Sequence, residues 1–407
     1  MSARSHASSL PLAGVKVLDL TRILAGPFAT QRLGDLGAEI VKVENPDGGD
    51  DTRGWGPPFV NGVSTYFFSL NRNKRSVALD LKSQAGKDVL WRLVERSDVL
   101  VENFRPGTLE RLGFGWEALR ERAPRLVYCS VSGYGHAGKM AERASFDVVI
   151  QGEAGAMDLT GDPHGPPTKC GISIADCVAG LHAVEGITAA LYARERTGRG
   201  DRVDVALFDG ILSILTYQAQ MWLACGKAPR RLGNAHPSIV PYETFRTSDG
   251  YINIGVGSEG LWARFCEALG APEWRADPLF STNQLRVVNR EELKPRIEAR
   301  LAGATSADWY ARLDAAGVPC GLVRPVAEAL GLAEEDIREM IIPVEHPDAG
   351  RVKMVGNPVK IGGLGGTPAM PPPRLGEHTE EVLRGAGFRD DEIQKLKTAK
   401  VIGDRNG

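Results

Sequence analysis

The chain has 407 residues, of which 43% are hydrophobic and 25% charged, values that exclude a disordered or fibrous protein. Its 49 basic and 51 acidic residues leave no basic excess, which argues against a general nucleic-acid binder. No apolar run reaches the ~18 residues of a membrane helix, and the N-terminus lacks a secretory apolar core. Six scattered cysteines without Cys-x-x-Cys spacing predict neither a zinc site nor a disulfide framework, so we expect a cytoplasmic protein.

Short β-branched runs alternate with helical patterns over the first third of the chain. In the later helical segments, apolar residues recur at i, i+3 and i+4, as in helices that pack on a sheet. Strands of about 4–8 residues followed by helices predict parallel βαβ units and an α/β fold. The predicted strands cover 15–20, 38–44, 76–81, 98–104 and 125–131, and the predicted helices cover 25–37, 83–97 and 108–124.

The middle of the chain carries the strongest helix signal. Residues 178–196 form an apolar stripe that ends at the stop sequence Thr-Gly-Arg-Gly. A strand at 202–208 and a long apolar helix at 209–224 follow, and the polar, basic stretch 225–232 then marks a change in composition.

Beyond this change, the spacing predicts a hairpin over 242–257, with Ser-Asp-Gly as its turn. The remaining predicted elements are amphipathic segments at 258–270 and 290–316, a β stretch at 351–361 and a final helix near 379–398.

Asp176 lies directly before the predicted helix 178–196. An Asp at a helix start accepts hydrogen bonds from free N–H groups and feels the positive end of the helix dipole. Both effects favour the carboxylate over the acid, and a carboxylate can act as a nucleophile. An ordinary N-cap is the alternative interpretation of the same residue.

The segment Gly133–Gly138, GYGHAG, matches G-x-G-x-x-G after a predicted strand and raises the alternative of a dinucleotide-binding loop. No clear helix follows it, which weakens that interpretation. The seven histidines show no His-x-x-x-His spacing, and the chain has no G-x-S-x-G sequence, so a zinc or serine hydrolase is not supported.

Basic residues recur near the predicted ends of strands, where ligands of parallel sheets bind. Their side chains could grip phosphate groups, or they could form ordinary surface ion pairs. The segment 101–107 adds Asn103 and Phe104 at the end of an apolar strand. The basic candidates are Lys74, Arg75, Lys82, Arg105, Arg111 and Arg143.

Several motifs in fixed order give the chain a resemblance to class III CoA-transferases, the family of formyl-CoA and carnitine CoA-transferases. The resemblance runs from about Leu12 to the C-terminus. The strings that carry it are PLAGVKVLDLTRILAGPFATQRLGDLGAEIVKVE, GDDTRGWGPPF, NRNKRSVALDLK, VENFRPGTLERLG, ISIADCVAGLHA, RTGRG and RLGEHTEEVL.

The resemblance implies a Rossmann-like, parallel-sheet large domain built from both chain ends and a smaller α+β domain. It places the large domain at 1–224 and 335–407 and the small domain at 225–334. It also implies a homodimer in which the two subunits thread through each other as linked rings.

The resemblance further implies that Asp176 is the nucleophile. Its carboxylate would attack an acyl-CoA thioester and form an aspartyl anhydride and then an aspartyl-CoA thioester, from which CoA passes to a carboxylic acid. CoA thioesters are thus substrates, and neither a permanently bound cofactor nor a metal is expected. Backbone N–H groups of Gly133–Gly138 and Gly152–Gly155 are candidate oxyanion donors. The implied CoA contacts are Leu24, Ala25, Leu79, Asp80, Lys82, Asn103, Phe104, Arg105, Arg111 and Arg143.

The resemblance to one branch of the family indicates the acyl substrate. The strings RLGNAHPSIVPYETFRTSDGYI and GDDTRGWGPPF are similar to the succinyl-CoA:glutarate, or dicarboxylate, branch. We therefore expect succinyl-CoA as donor and a dicarboxylate such as glutarate as acceptor. A distal carboxylate needs a cation, and the candidates are Arg22, Arg53 and His236.

Other functions stay open at this stage. The same superfamily contains 2-methylacyl-CoA racemases, and the resemblance implies that these use a His/Asp pair for proton transfer. In this chain Phe146 stands at the position of that histidine, and a phenylalanine cannot exchange a proton. The sequence is also compatible with a formyl-CoA:oxalate-type transferase, a dinucleotide-dependent oxidoreductase and a non-catalytic CoA-binding protein.

Overall fold

A six-stranded parallel sheet organises the computed structural model, which describes residues 10–361 and 370–403. The strands of the sheet are β1 Lys16–Asp19, β2 Glu39–Glu44, β5 Lys74–Ala78, β6 Val99–Glu102, β7 Val127–Ser132 and β8 Arg202–Ala206, and a small separate hairpin consists of β3 Phe59–Val60 and β4 Val63–Ser64. The spatial order is β5-β2-β1-β6-β7-β8, so the chain reverses direction across the sheet between β1 and β6. The central strands β1, β6 and β7 are buried on both faces and mostly apolar, whereas β2 and β5 also contain the buried lysines Lys42 and Lys74.

The predicted strands of this sheet are confirmed, with boundaries shifted by up to three residues. The predicted helices at 108–124 and 209–224 are each wrong as single elements. Gly113 takes a left-handed φ of 95° and divides the first, and Thr216, at φ 43°, begins a separate helix in the second. The helices are α1 Ala25–Asp35, α2 Thr65–Leu70, α3 Gln84–Val94, α4 Thr108–Leu112, α5 Trp116–Arg122, α6 Asp147–Glu153, α7 Ala156–Leu159, α8 Ile174–Thr197, α9 Leu207–Ile214 and α10 Thr216–Cys225.

Helix α8 is the central helix of the sheet's α1 face. It begins at Ile174, four residues before the predicted start, and ends at Gly198 with a φ of 72° as predicted. Gly180 allows close packing, because a Cβ there would lie 2.8 Å from the Ala25 carbonyl oxygen. Of the described helices, α8 alone has the length and apolar composition of a membrane span. Its buried residues pack into the core that includes α1 and the sheet, as in the core helix of a globular protein.

The chain divides into two compact units. The first contains the described residues up to Ala156, Cys170–Gln220 and those from Ala333 onward. The second contains Met221–Leu332 and also Met157–Lys169, a segment that the sequence analysis had assigned to the large domain.

The second unit contains a three-stranded antiparallel sheet, in which β10 Tyr251–Gly255 lies between β9 Tyr242–Arg246 and β11 Cys320–Leu322. The predicted hairpin is confirmed, with Ile252 opposite Phe245. The predicted segment 290–316 forms two helices, and a capping box of Thr305 and Asp308 starts the second. The helices from here to residue 335 are α11 Glu259–Leu269, α12 Asn283–Val288, α13 Arg290–Leu301, α14 Ser306–Ala315 and α15 Val326–Glu335.

The C-terminal segment completes the first unit. The His378 N–H donates to the Ser76 carbonyl oxygen at 2.9 Å, and the Asp80 N–H donates to the Val401 carbonyl oxygen at 2.8 Å. Leu383 is fully buried in a core cluster with residues of β1, β5 and β6. The elements of this segment are β12 Ile341–His346, β13 Gly350–Val355, α16 Thr379–Gly385 and α17 Asp390–Thr398, so the predicted final helix is two helices.

Candidate functional site

A cavity of about 520 Å³ opens at the carboxyl edge of the parallel sheet. Loops after β1 and β6 form part of its wall, and these are the two strands between which the chain order reverses, the usual ligand position in open α/β sheets. The loop after β7 and the first turn of α8 complete the wall. Its lining includes Arg22, Leu24, Ala25, Asp51, Asn103, Phe104, Arg105, Gly133, Arg143, Phe146 and Asp176.

Asp176 lies in the first turn of α8, and the expectation that it caps the helix is wrong. Ser173 occupies the N-cap position. The Ala175 N–H, one of the free donors of this helix end, donates to Asp147 Oδ1 at 2.9 Å. Within residues 10–361 and 370–403, no side chain or N–H group donates a hydrogen bond to the Asp176 carboxylate. The side chain therefore stands at the cavity wall without the stabilising donors that the sequence predicted.

The Asp176 carboxyl group has a raised pKa. Burial raises the pKa to about 7, and the negative charge of Asp147 adds to the effect. This corrects the expectation that the helix start holds the group firmly ionised, since the dipole and donors of α8 do not outweigh burial here. At neutral pH the acid and the carboxylate coexist, and the carboxylate is poorly stabilised by its surroundings, as suits a nucleophile.

A buried ion pair fixes the loop between β1 and α1. Lys42 Nζ lies 2.9 Å from Asp50 Oδ2, and both side chains are fully buried. The Ile23 N–H points to the same Asp50 carboxylate at 3.2 Å, and Ile23 takes the left-handed φ of 72°, which is uncommon for a β-branched residue. The Asn103 amide adds two bonds of 2.8 Å to the N–H and carbonyl oxygen of Arg22. Leu24 and Ala25 are thereby held at the cavity wall.

A second cavity of about 380 Å³ lies beside the first and shares four of its lining residues, Arg22, Asp51, Phe104 and Thr108. Leu79, Asp80 and Lys82 line only this second cavity. The structure thus distributes the predicted CoA contacts over two adjoining cavities: Leu24, Ala25, Asn103, Arg105 and Arg143 line the first, Leu79, Asp80 and Lys82 the second, and Phe104 both.

Arg111 is the one predicted CoA contact that lines neither of these two cavities. Its Nη2 donates to Thr108 Oγ1 at 2.9 Å, and Thr108 lines both cavities. Arg143 pairs with Glu153 and lies 4.9 Å from the centre of the Tyr134 ring. Among the described residues, the exposed Arg105 guanidinium has neither an ion pair nor a hydrogen bond.

The three predicted acceptor cations lie in different surroundings. Arg22 lines both cavities and pairs with Asp51. Arg53 is bound by both Glu44 oxygens at 2.7 and 2.8 Å and lines another cavity of about 180 Å³. His236 belongs to the second unit, where its Nδ1 accepts the Ser238 N–H at 3.1 Å.

The segment Gly133–Gly138 does not open a helix. It follows β7, and the next helix, α6, begins only at Asp147. Gly133 lines the cavity of Asp176 and packs against Ser145, whose Oγ would lie 1.9 Å from an added Cβ. The geometry of a dinucleotide loop, in which a helix N-terminus meets the phosphates, is therefore missing here.

Sequence reasoning missed Asp50 and Asp51 at this site. Both follow Gly49 in the string GDDTRGWGPPF, which the sequence analysis used only for the family resemblance and not to propose site residues. In the described parts of the chain, no group of three His, Cys, Asp or Glu side chains has the arrangement of a metal site.

The sequence matches the profile of CoA-transferase family III over residues 12–379. The succinyl-CoA:glutarate CoA-transferase of Mus musculus is 42% identical over 397 residues, which cover 97% of this chain and 91% of the mouse protein. The acetyl-CoA:oxalate CoA-transferase of Acetobacter aceti is 44% identical over 354 residues, with coverage of 87% and 90%. A CaiB/BaiF family protein from Brucella suis has a similar structure, with a TM-score of 0.82, 42% identity and coverage of 93% and 99%.

Proposed function

The chain belongs to CoA-transferase family III and is a CoA-transferase, and from this premise we propose that it moves CoA from succinyl-CoA to a dicarboxylate such as glutarate through covalent intermediates on Asp176. The observation that carries the proposal is the position of the Asp176 carboxyl group. It lies on the wall of a cavity of about 520 Å³, with a raised pKa and without a hydrogen-bond donor among the described residues.

The proposed reaction proceeds by acyl transfer in balanced steps. The Asp176 carboxylate attacks the thioester carbonyl carbon, a C–O bond forms, and the C–S bond breaks with its electron pair on the CoA sulfur. The thiolate then attacks the aspartyl carbonyl, which releases the donor acid and leaves an aspartyl-CoA thioester. The acceptor carboxylate attacks this thioester and again expels the thiolate. Attack of the thiolate on the acceptor side of the new anhydride gives the acceptor thioester and restores the Asp176 carboxylate.

The second cavity suits the nucleotide end of CoA. Lys82 supplies a cation for phosphate groups there, and Arg105, which lines the first cavity and has no ion partner in the described structure, supplies another. Leu24, Ala25 and Phe104 supply apolar surface on the way to Asp176. We assign the thiol end of CoA to the first cavity and its phosphates to the shared wall and the second cavity.

Arg22 is the strongest of the three candidates for the distal carboxylate of the acid. It lines the cavity of Asp176, whereas Arg53 is already bound by Glu44 and lines neither that cavity nor the second one. An Arg guanidinium can bind a carboxylate with two parallel hydrogen bonds. Oxalate is a second candidate acceptor, because the relative from Acetobacter aceti carries that acid in its name.

The proposal is tested with a matrix of acyl-CoA donors and carboxylic acid acceptors, with products identified by mass spectrometry. Succinyl-CoA with glutarate should give the highest kcat/KM, and oxalate with acetyl-CoA or formyl-CoA is the competing outcome. Replacement of Arg22 by Gln should weaken the use of dicarboxylates more than that of monocarboxylates. An equal loss for both classes of acid would contradict the role of Arg22.

The covalent step is tested separately. Asp176→Ala should abolish CoA transfer while CoA still binds, and hydroxylamine should trap an acyl or CoA ester on Asp176 of the active protein. Asp162→Ala removes an exposed carboxylate of the second unit and serves as the control. Full transfer activity without any label on Asp176 would refute the mechanism.

One further measurement distinguishes the proposed transferase from the alternative, a racemase. Phe146 is 63% exposed and lines the Asp176 cavity at the position where the racemases carry their histidine. A transferase leaves the α-proton of a 2-methylacyl-CoA in place, so the absence of deuterium uptake from heavy water is expected. Rapid uptake would favour the isomerase.

Homodimerisation is also proposed, in the interlocked form that the resemblance implies. Large apolar side chains stand exposed along the first unit, among them Leu181 and Tyr192 on α8 and Leu212 on α9. Such apolar surface is typical of subunit interfaces. Light scattering should give twice the chain mass of 43.8 kDa, and a monomer at micromolar concentration would contradict the proposal.

A further inference from the structure

Asp147 and Gln151 lie one turn apart on α6 and are joined by a hydrogen bond of 2.7 Å from Gln151 Nε2 to Asp147 Oδ2. Gln151 is only 1% exposed, so its amide is committed to contacts inside the protein. Buried amides are retained where their hydrogen bonds are satisfied. The pair therefore forms a fixed polar surface on α6.

This surface binds the backbone that leads into α8. Asp147 Oδ1 accepts the Ala175 N–H at 2.9 Å, and Gln151 Oε1 accepts the Cys170 N–H at 2.8 Å. Gln151 Nε2 also approaches the Ile172 carbonyl oxygen at 3.4 Å. Three backbone groups within the six residues before Asp176 are thus held by two side chains, and we call Asp147 and Gln151 the α6 clamp.

The α6 clamp also brings a negative charge close to Asp176. After burial, the charge of Asp147 is the second cause of the raised pKa of Asp176. Asp147 itself is stabilised by two donors, whereas Asp176 has none in the described structure. The repulsion between the two carboxylates therefore falls mainly on Asp176.

We propose that Asp147 and Gln151 are positioning residues for the reaction of Asp176: the clamp fixes the first turn of α8, and the charge of Asp147 destabilises the free Asp176 carboxylate relative to its acylated form. The inference rests on the proposed function of Asp176 as nucleophile. When the C–O bond forms, the negative charge leaves Asp176 with the electron pair of the broken C–S bond and moves to the CoA sulfur. The repulsion by Asp147 is then relieved at the aspartyl group.

Other ionisable groups face Asp176 and stay unchanged in the variants below. Tyr66 on α2 and Cys177 on α8 interact electrostatically with Asp176. Asp51, Arg22, Arg105 and Arg143 line the same cavity. A change in pH dependence caused by Asp147→Asn is therefore attributable to the removed charge.

The first test compares the pH dependence of kcat/KM in the full-length enzyme and in Asp147→Asn. Asparagine keeps an oxygen acceptor for the Ala175 N–H, removes the charge and loses the bond from Gln151 Nε2, because its own Nδ2 cannot accept. We expect kcat to fall about tenfold and the acid limb of the profile to move to lower pH. Asp147→Glu should restore much of the rate and return the limb towards its original position.

The control variant is Asp249→Asn in the second unit. Asp249 also accepts an N–H group at a helix start, that of Ser306 at 2.8 Å, and the carboxylate on which its charge acts, that of Asp308, does not line the cavity of Asp176. Its rate and acid limb should match those of the original enzyme. A loss of rate in Asp147→Asn with an unmoved acid limb would overturn the electrostatic role and leave only a structural one.

Gln151→Leu tests the positioning role alone. It releases the Cys170 and Ile172 backbone groups and keeps the charge of Asp147, so kcat should fall about tenfold while the acid limb stays in place. An unchanged rate would overturn the clamp. Hydroxylamine trapping on the original enzyme separates the two proposals: without a label on Asp176 the proposed function fails, whereas a label combined with unaffected variants refutes only this inference.

Discussion

Asp50 and Asp176 are aspartates at the walls of adjoining cavities in the same unit, yet their pKa values move in opposite directions. Burial alone would raise the pKa of Asp50, but the Lys42 charge and hydrogen bonds from Thr52 outweigh it, and the pKa falls to about 2. Asp176 is also largely buried, has no such partner in the described structure and faces Asp147, and its pKa rises to about 7. Burial by itself therefore does not separate a structural carboxylate from a reactive one; the charges and hydrogen-bond donors that face the carboxylate do.

The largest loss of stability is expected from Lys42→Met, because this substitution removes the buried cation that pairs with Asp50. Lys42 is fully buried, and its loss leaves Asp50 and Asp19 short of positive charge. Breaking a buried ion pair from one side costs about 3–5 kcal/mol in the free energy of unfolding, measurable by urea denaturation. The exposed Lys82→Met is the control and should change stability by less than about 0.5 kcal/mol. Similar losses of unfolding free energy in both variants would contradict the conclusion that the buried pair of Lys42 and Asp50 stabilises the protein.

In contrast to Lys42→Met, the substitution Asp176→Asn should raise the free energy of unfolding and so stabilise the protein. The folded pKa is raised from 3.8 to about 7, so the folded state retains a proton that the unfolded state has lost between these pH values. Stability is consequently lost as pH rises from about 4 to 7, by up to about 4 kcal/mol. Asn avoids this loss, and its advantage should be small at pH 4 and full at pH 8 in urea denaturation. A constant difference at both pH values would contradict the raised pKa.

The same pKa should govern activity. The nucleophile is the carboxylate, so kcat/KM should rise about tenfold per pH unit below pH 7 and level off above it. A profile that is already flat at pH 5 would contradict the raised pKa of Asp176 in the free enzyme. Parallel measurement of CoA binding distinguishes this rise from a loss of substrate affinity.

The smallest change in the free energy of unfolding is expected from Asp51→Asn. Asp51 pairs with Arg22, and their side chains are 41% and 49% exposed. Exposed pairs contribute less than about 1 kcal/mol, and salt screens them further. The free energy of unfolding should thus barely change, in contrast to Lys42→Met. A loss as large as that of Lys42→Met would show that exposure is a poor guide to the strength of these pairs.

Much of the fold follows from the sequence for a simple physical reason. Strands buried on both faces are mostly apolar, so β1, β6 and β7 stand out from their surroundings in the sequence. The breaks between helices were harder to predict, because Gly113 and Thr216 adopt positive φ values that local apolar periodicity does not reveal. The hairpin of the second unit was predictable from its turn residues.

The sequence proposed residues for the candidate site, and these stay predictions, but it did not indicate the electrostatics of the site. The motif around Asp176 pointed to a nucleophile, whereas its protonation depends on burial in the folded chain and then on the charge of Asp147, which lies 28 residues before the Ala175 N–H that it accepts. The partner of Arg53 was hidden for the same reason, since Glu44 meets it only in the folded chain. Residue type and spacing identify which groups can react, and long-range contacts decide in which charge state.

The return of the C-terminal segment to the sheet has a consequence for biosynthesis. Leu383 and Ile402 fill a core cluster that also contains Leu18 and Leu100, and Leu79 pairs with Ile402. Helices α3 to α5 contribute to the same cluster, so a nascent chain on the ribosome lacks only the C-terminal part of this packing until residue 402 has emerged. The core cluster of the second unit runs from Val240 to Val318, so this unit can complete its own core during synthesis before the first unit does.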